Sequence, residues 1–171
     1  MMNSDNQTLN SRRIVFSEAT YHKIIKILAE LKNRLQAQAT IFADMNGYPI
    51  GYDLEVDDVD IIELTALAAG TFSATSEMAR LIKENRFRFI YHEGESRNIY
   101  MCNVSKEYLI IVLFDKSVAM GMVRILTHNT VEKLQKILNE LSVEYEKTSQ
   151  FLDIEFKSLL GKELDKYFGL K

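Results

Sequence analysis

Three histidines are the residues of this chain best suited to acid–base or metal chemistry. They are His22, His92 and His128, and they are too scattered to match the spacing of metal ligands. His92 stands beside Glu93 at the end of a predicted strand, where a turn-stabilising contact explains the pair better than catalysis does. The sequence has no P-loop, no G-x-G-x-x-G and no G-x-S-x-G. We therefore expect no catalytic residue, no metal and no cofactor, and predict that the chain is not itself an enzyme.

The segment of residues 61–82 is more informative, because it reads as a helix with a middle rich in small residues. One broad apolar stripe has helical spacing and consists of Leu64, Leu67, Ala68, Thr71, Ala74, Thr75, Met78, Leu81 and Ile82. The opposite side is flat at its centre and charged at its ends. Glycine costs about 1 kcal/mol relative to alanine inside a helix, so Gly70 calls for a compensating close approach by another backbone. We predict a partner surface, with packing inside the same fold as the alternative, formed by Ala66, Ala69, Gly70, Ser73, Glu77 and Arg80.

Length and composition restrict the class of protein. A chain of 171 residues is long enough for one domain that buries about 70% of its unfolded surface. The net charge is −3 with acids and bases interspersed, which argues against nucleic-acid binding. Cys102 is the single cysteine, so no internal disulfide can form and a reducing compartment is favoured. No apolar run is long enough for a membrane span, and the first residues lack a signal-peptide pattern. We expect a cytoplasmic protein.

The order of predicted elements gives the fold class. Helices are predicted over residues 18–36 and 61–82, and strands over residues 39–43, 48–53, 87–92, 98–104 and 108–114. The pair Asn46-Gly47 favours a tight hairpin between the first two strands, and short links favour an antiparallel meander of the last three. A final helix is expected to open at Asp115 or Ser117 and to run to residue 147. Its buried side is predicted to hold Val118, Met122, Ile125, Leu134, Ile137, Leu138, Leu141 and Tyr145.

The result is an α/β (α+β) fold with the order α-β-β-α-β-β-β-α. We expect a five-stranded antiparallel sheet, with residues 108–114 as its central strand, covered by helices on both faces. Residues 1–16 are predicted to be a disordered tail, residues 17–147 the domain, and residues 148–171 a separate C-terminal tail.

Four segments carry a resemblance to a known family. They are Asp44-Met-Asn-Gly47, LTALAAG at residues 64–70, His92-Glu-Gly94 and LIIVLFDKSVAMGMVRI at residues 109–125. Over residues 17–147 the chain resembles the roadblock/dynein light chain family, and LIKENRFRFIYHEG at residues 81–94 is similar to the bacterial MglB-like group within it. The resemblance implies a roadblock-like homodimer that binds a Ras-like small GTPase of the MglA type. It also implies stimulation of GTP hydrolysis in the control of cell polarity.

Four arginines raise the question of an arginine finger, a residue that one protein inserts into the GTPase site of another. They are Arg80, Arg86, Arg88 and Arg124. Arg80 is the best placed, but a solvated position or an ion pair with Glu84 explains it better. The resemblance also implies action by reshaping the GTPase. Arg124 is expected to satisfy a backbone group or an acid near the core.

The C-terminal tail carries an apolar stripe at helical spacing. Its members are Phe156, Leu160, Leu164 and Tyr167, and we predict that they dock on a partner. A helix of about 15 residues is marginal in water, so the tail should fold on contact. Docking on its own domain or on the dimer mate remains open, and the resemblance implies contact with the GTPase.

Two rival functions remain. A scaffold would hold a GTPase or an assembly without stimulating hydrolysis, and no sequence feature separates it from an activator. A small-molecule sensor is disfavoured because the apolar strands lack convergent polar residues.

Glu77 argues against tight docking of a GTPase, because it places a charge on the flat face. Alternatively, Glu77 could pair with a basic residue of the GTPase.

Overall fold

The computed structural model describes residues 16–143. The elements are α1 (Glu18–Leu35), β1 (Ala39–Asp44), β2 (Pro49–Leu54), α2 (Ile61–Leu81), β3 (Phe89–Glu93), β4 (Arg97–Asn103), β5 (Tyr108–Asp115) and α3 (residues 120–143). The order α-β-β-α-β-β-β-α is therefore confirmed.

Most of both predicted tails lies outside the described residues, including Phe156, Leu160, Leu164 and Tyr167. The domain boundaries therefore stay predictions. Phe16, assigned to the N-terminal tail, instead packs edge-on against Phe42, with ring centroids 6.5 Å apart.

All five strands form one antiparallel sheet in the order β2-β1-β5-β4-β3. β5 is the central strand, as predicted, and every residue from Tyr108 to Phe114 is buried. Its apolar residues point to both faces, so helices must cover the sheet on each side. β2 and β3 are the two edge strands.

α1 and α3 cover one face of the sheet. Ser17 caps α1 by accepting a hydrogen bond from the Thr20 amide, which satisfies an otherwise free donor at the helix start. The buried side of α1, with Ile24 and Leu28, joins the core cluster of this face. The buried Thr40 hydroxyl donates to the Leu28 carbonyl at 2.9 Å, and this bond fixes α1 against β1.

α2 covers the opposite face. The Asp60 carboxylate accepts a hydrogen bond from the Glu63 amide and caps the helix, which agrees with the preference for negative charge at a helix start. Ala68, Ala69 and Phe72 form its buried side and pack with residues such as Ile111 of β5. The small alanines allow the helix axis to lie close to the sheet.

α3 begins later than predicted. The Asp115 carboxylate accepts a hydrogen bond from the Ser117 amide in a turn, and the helix starts at residue 120. The prediction was wrong for Met122 and Ile125, which are 52% and 64% exposed. Thr127 and Thr130 are buried instead.

Hydrogen bonding inside the helix explains the burial of Thr130, whereas the buried Thr127 hydroxyl has no hydrogen-bond partner among the described residues. The Thr130 hydroxyl donates to the Leu126 carbonyl, so this polar side chain reaches the core with its donor satisfied. Leu134 and Leu138 are buried as predicted.

Candidate partner-binding surface

The outer side of α2 exposes large apolar side chains. Leu67 is 63% exposed, Met78 59% and Leu81 73%. Leu67, Ala74 and Leu81 recur every seven residues, which is the spacing of a helix–helix contact seam. The apolar stripe predicted from the sequence therefore divides: Ala68 and Leu64 pack towards the sheet, whereas Leu67, Met78, Leu81 and Ile82 face solvent in the described chain. A helix with two apolar sides has more apolar surface than its own sheet can cover.

Ala69 was wrongly assigned to the partner surface, because it is buried at 6% exposure. Thr65, Ala69 and Phe72 follow one another at helical spacing, and all three lie on the buried side of α2. This places Ala69 on the sheet side, away from the exposed Gly70.

Ala66 is exposed, but its small size serves a contact within the chain. The Asp44–Gly47 turn lies against this part of α2, and a Cβ built on Gly47 would fall 2.7 Å from the Ala66 Cα atom. The Thr65 hydroxyl donates to the Gly47 carbonyl at 2.7 Å. Ala66 thus packs against this turn inside the fold, and its role in a partner surface stays a prediction.

Gly70 differs, because no described residue comes close to it. A Cβ at this position would meet no heavy atom within 4 Å, and Ser73 beside it on the helix is also exposed. The cost of glycine in a helix is thus not offset by any contact within residues 16–143. The region around Gly70 and Ser73 is a flat, open surface.

Glu77 and Arg80 form the charged end of this surface. The Arg80 Nε atom lies 2.9 Å from the Glu77 Oε2 atom, with both side chains about two-thirds exposed or more. The predicted partner Glu84 is not used, because the helix ends at Leu81 and the backbone turns through Lys83 at φ 61°. Exposed pairs of this kind contribute little stability, so the pair can rearrange when a partner binds.

The other residues that the sequence suggested for acid–base, arginine or metal chemistry do not form a single site. The turn beside His92 is held by the Gly94 amide, which donates to the Arg97 carbonyl and to the Asn98 side chain, so the predicted turn contact from His92 was wrong. Arg124 lies over the Phe89 ring at 4.9 Å, not on a core acid. Within residues 16–143, no three His, Cys, Asp or Glu side chains are placed to hold a metal ion.

One exposed ion pair anchors the loop before α2. The Arg97 guanidinium donates to the Asp58 carboxylate at 2.8 Å and, chiefly through this hydrogen bond, lowers the pKa of Asp58. The contact links the acidic segment before α2 to β4, so the start of α2 is held relative to the sheet.

In the part of the chain that the structure describes, no helix is long and apolar enough to cross a membrane.

Comparisons with known proteins agree with this architecture. The chain is 30% identical to Myxococcus xanthus MglB, with a TM-score of 0.70 over 74% of this chain and 96% of that one. The gliding protein MglB of Thermus thermophilus is 25% identical, with a TM-score of 0.68 over 74% and 96%. A protein from Aquifex aeolicus is 23% identical over 154 residues, which are 89% of this chain and 93% of that protein. The profile of the Roadblock/LC7 domain matches residues 23–114, and the chain therefore belongs to the Roadblock/LC7 domain family.

Proposed function

We propose that this chain is a homodimeric regulator that binds a Ras-like small GTPase of the MglA type and stimulates its GTP hydrolysis. The observation that carries the proposal is the outer face of α2, where exposed Leu67, Met78 and Leu81 adjoin the open surface at Gly70. An exposed apolar patch beside a flat polar surface is typical of a protein interface. The 30% identity to Myxococcus xanthus MglB supports a role in the same class.

Dimerisation would use the apolar seam of α2 and the free edge of β3. Burying a leucine or methionine side chain contributes about 1.5–3 kcal/mol, and a twofold axis would bury Leu67, Met78 and Leu81 from both copies. Pairing of two β3 edges would at the same time cover backbone groups that otherwise invite unspecific association.

The GTPase would dock on the surface around Gly70 and Ser73, which allows a close backbone approach. Glu77 would then be free to pair with a basic residue of the GTPase, once it exchanges its bond to Arg80. The nucleotide and its metal ion belong to the GTPase in this arrangement, so the chain contributes no catalytic group. It would act by holding the GTPase segments that orient the attacking water.

The C-terminal stripe of Phe156, Leu160, Leu164 and Tyr167 would supply a second contact to the GTPase. Several buried apolar side chains can contribute a few kcal/mol, less the cost of ordering the segment. Such a contact is too weak to bind alone, but it strengthens binding through the effective concentration of a tethered site.

A scaffold is the second candidate, and the flat, open surface at Gly70 and Ser73 is compatible with it. A surface that contributes no catalytic group can hold a GTPase whether or not it also reorients the attacking water. The same dimer would then hold the GTPase without changing its turnover.

The test is to measure GTP hydrolysis by an MglA-type GTPase from the same organism, alone and with the full chain. We expect acceleration with the chain, its loss with Ser73→Arg, and its retention with the control Ser142→Arg, which changes an exposed serine of α3. The bulky cation of Ser73→Arg would prevent a close approach while leaving the fold intact. Binding without acceleration supports the scaffold, and absence of binding refutes both roles.

A further inference from the structure

A groove lies on the face of the sheet opposite α2. It is bordered by α3 on one side and by the edge strand β3 on the other, and its volume is about 490 Å³. Phe89, Tyr100 and Cys102 form its floor, and Arg88, Arg124 and Ile125 stand at its rim. α1 and α3 together cover this face up to β4, whereas Phe89 of β3 is only partly buried.

The rim of the groove is cationic, and no acid among residues 16–143 pairs with its two arginines. Arg88 forms no ion pair with any described acid, and the contact of Arg124 is with the face of the Phe89 ring. His128, also at the groove, is 3.9 Å from Glu132 of its own helix. Two guanidinium groups that no described acid neutralises, beside an apolar floor and on a chain of net charge −3, fit an acidic and apolar ligand.

Two further features leave room for an occupant. A Cβ on Gly121 would meet no described heavy atom within 4 Å, so the first turn of α3 can be approached closely. Asn103 also lines the groove, and its buried Oδ1 atom has no hydrogen-bond donor among the described residues. Buried polar atoms are seldom left without a partner, and a donor from the occupant would satisfy this one.

We propose that this groove is the docking site of the C-terminal segment 148–171 of the same chain. If that segment folds as a helix, Phe156, Leu160 and Leu164 form its apolar stripe. Asp153 precedes Phe156 by three residues and Glu163 follows Leu160 by three, so both carboxylates border the stripe. The stripe would cover the floor and Ile125, and the carboxylates would meet Arg88 and Arg124.

The length of the chain permits this docking. Ile125 lies about 27 Å from residue 143 along α3, at 1.5 Å per residue. The residues between 143 and Phe156 can span about 40 Å when extended. The segment can therefore turn back and run beside α3. Docked there, it leaves the outer face of α2 open to the proposed GTPase, and the apolar stripe stays out of water until a partner takes it up.

Disulfide trapping in the full-length chain tests the proposal. Ile125→Cys is combined in turn with Phe156→Cys, Leu160→Cys and Leu164→Cys, and the rate of disulfide formation is followed on non-reducing gels. The control series places the first cysteine at Lys136, on the solvent side of α3, with the same three tail positions. All variants also carry Cys102→Ser, because a tail cysteine docked over the floor of the groove would lie beside the Cys102 thiol.

We expect at least one Ile125 pair to close about tenfold faster than the matched Lys136 pair, since docking raises the local concentration of the tail thiol. The fast product should consist of one chain. Reversal of charge with Arg88→Glu and Arg124→Glu should slow this closure about two- to tenfold, the effect of one or two exposed ion pairs, whereas Lys136→Glu should not.

Three results would overturn the proposal. Equal rates for the Ile125 and Lys136 series would show that the tail does not dock here. A product linking two chains would assign the groove to the tail of the dimer mate. An unchanged rate after charge reversal, in a variant with the circular dichroism of the parent, would show that the guanidinium groups do not select the tail.

Discussion

The hydroxyl of Thr65 donates a 2.7 Å hydrogen bond to the carbonyl of Gly47, and this bond joins α2 to the β1–β2 hairpin across the rim of the sheet. The same hydroxyl lies 2.9 Å from the Ile61 carbonyl, so its single proton is shared between an acceptor on the hairpin and one on its own helix. Gly47 has φ 90° and lies against Ala66. The close contact between the hairpin turn and α2 therefore requires both a glycine at position 47 and a small residue at position 66.

Gly47→Ala should destabilise the fold by about 2 kcal/mol, since alanine is strained at positive φ and its Cβ would fall 2.7 Å from the Ala66 Cα atom. Chemical denaturation of the two proteins measures the difference. Gly121→Ala is the control, because its Cβ would meet no described heavy atom within 4 Å on a helix and should stabilise by up to about 1 kcal/mol. Equal stability of Gly47→Ala and the parent would refute the close packing of this turn.

The sequence predicted the elements of the fold because their periodicities are strong. The apolar run of β5 identified the central strand, and Asn46-Gly47 identified the hairpin. The errors occurred where threonine replaces an apolar residue in the core. Thr127 is fully buried on α3, yet a hydropathy pattern assigns threonine to the surface, so Met122 and Ile125 were placed on the wrong side.

The candidate site was predicted only in part, because it depends on contacts between distant segments. The open position of Gly70 followed from the sequence, whereas the contact of Ala66 with the Gly47 turn did not. The partner of Arg80 was missed because no periodicity indicates that Lys83 adopts positive φ and ends α2 before Glu84. The position of Arg124 over Phe89 likewise joins a helix and a strand that are remote in sequence.

Gly70→Ala distinguishes the effect of Gly70 on the stability of α2 from its effect on binding of the GTPase. A Cβ at this position meets no described atom, so the change should stabilise the chain by about 1 kcal/mol. If Gly70 serves a close approach by the GTPase, binding should weaken at the same time. Thermal unfolding and a titration with the GTPase measure the two effects. Tighter or unchanged binding would remove Gly70 from the proposed interface.

The ion pair between Lys133 and Glu30 joins α3 to α1 and should respond to pH. The hydrogen bond from Lys133, at 2.8 Å, is the main cause of the lowered pKa of Glu30. Because the folded pKa lies below the unfolded one, the stabilisation is complete above the ordinary value of 4.5 and is lost as the pH falls through the folded pKa.

Lys133→Met should therefore raise the pKa of Glu30 towards 4.5, as followed by NMR titration of the carboxyl group. The small difference in unfolding free energy from the parent should be present at neutral pH and disappear in acid. Lys136→Met is the matched control, because Lys136 is exposed on the same helix and its loss should leave the Glu30 titration unchanged. An unchanged Glu30 titration would contradict the pairing.

Cys102 should resist alkylation in the folded protein. Its thiol is buried, and that burial raises its pKa to about 12, so almost no thiolate exists at pH 8. Reaction with iodoacetamide should be slow in buffer and fast in denaturant, as measured by mass spectrometry. Rapid labelling of the native chain would show that the floor of the groove is open to reagents.

Leu67→Glu should convert the proposed dimer to a monomer. Leu67 is 63% exposed in the single chain, so a carboxylate there costs the isolated fold little, whereas burial of two unpaired carboxylates in the α2 seam would be strongly unfavourable. Light scattering should give a mass near 19.7 kDa for the variant and twice that value for the parent. Ile62→Glu is the matched control, because Ile62 is 71% exposed on the same helix but lies outside the seven-residue repeat of Leu67, Ala74 and Leu81. A dimer that survives Leu67→Glu but not Ile62→Glu would move the interface to the other side of α2, and a monomeric parent would refute the dimer itself.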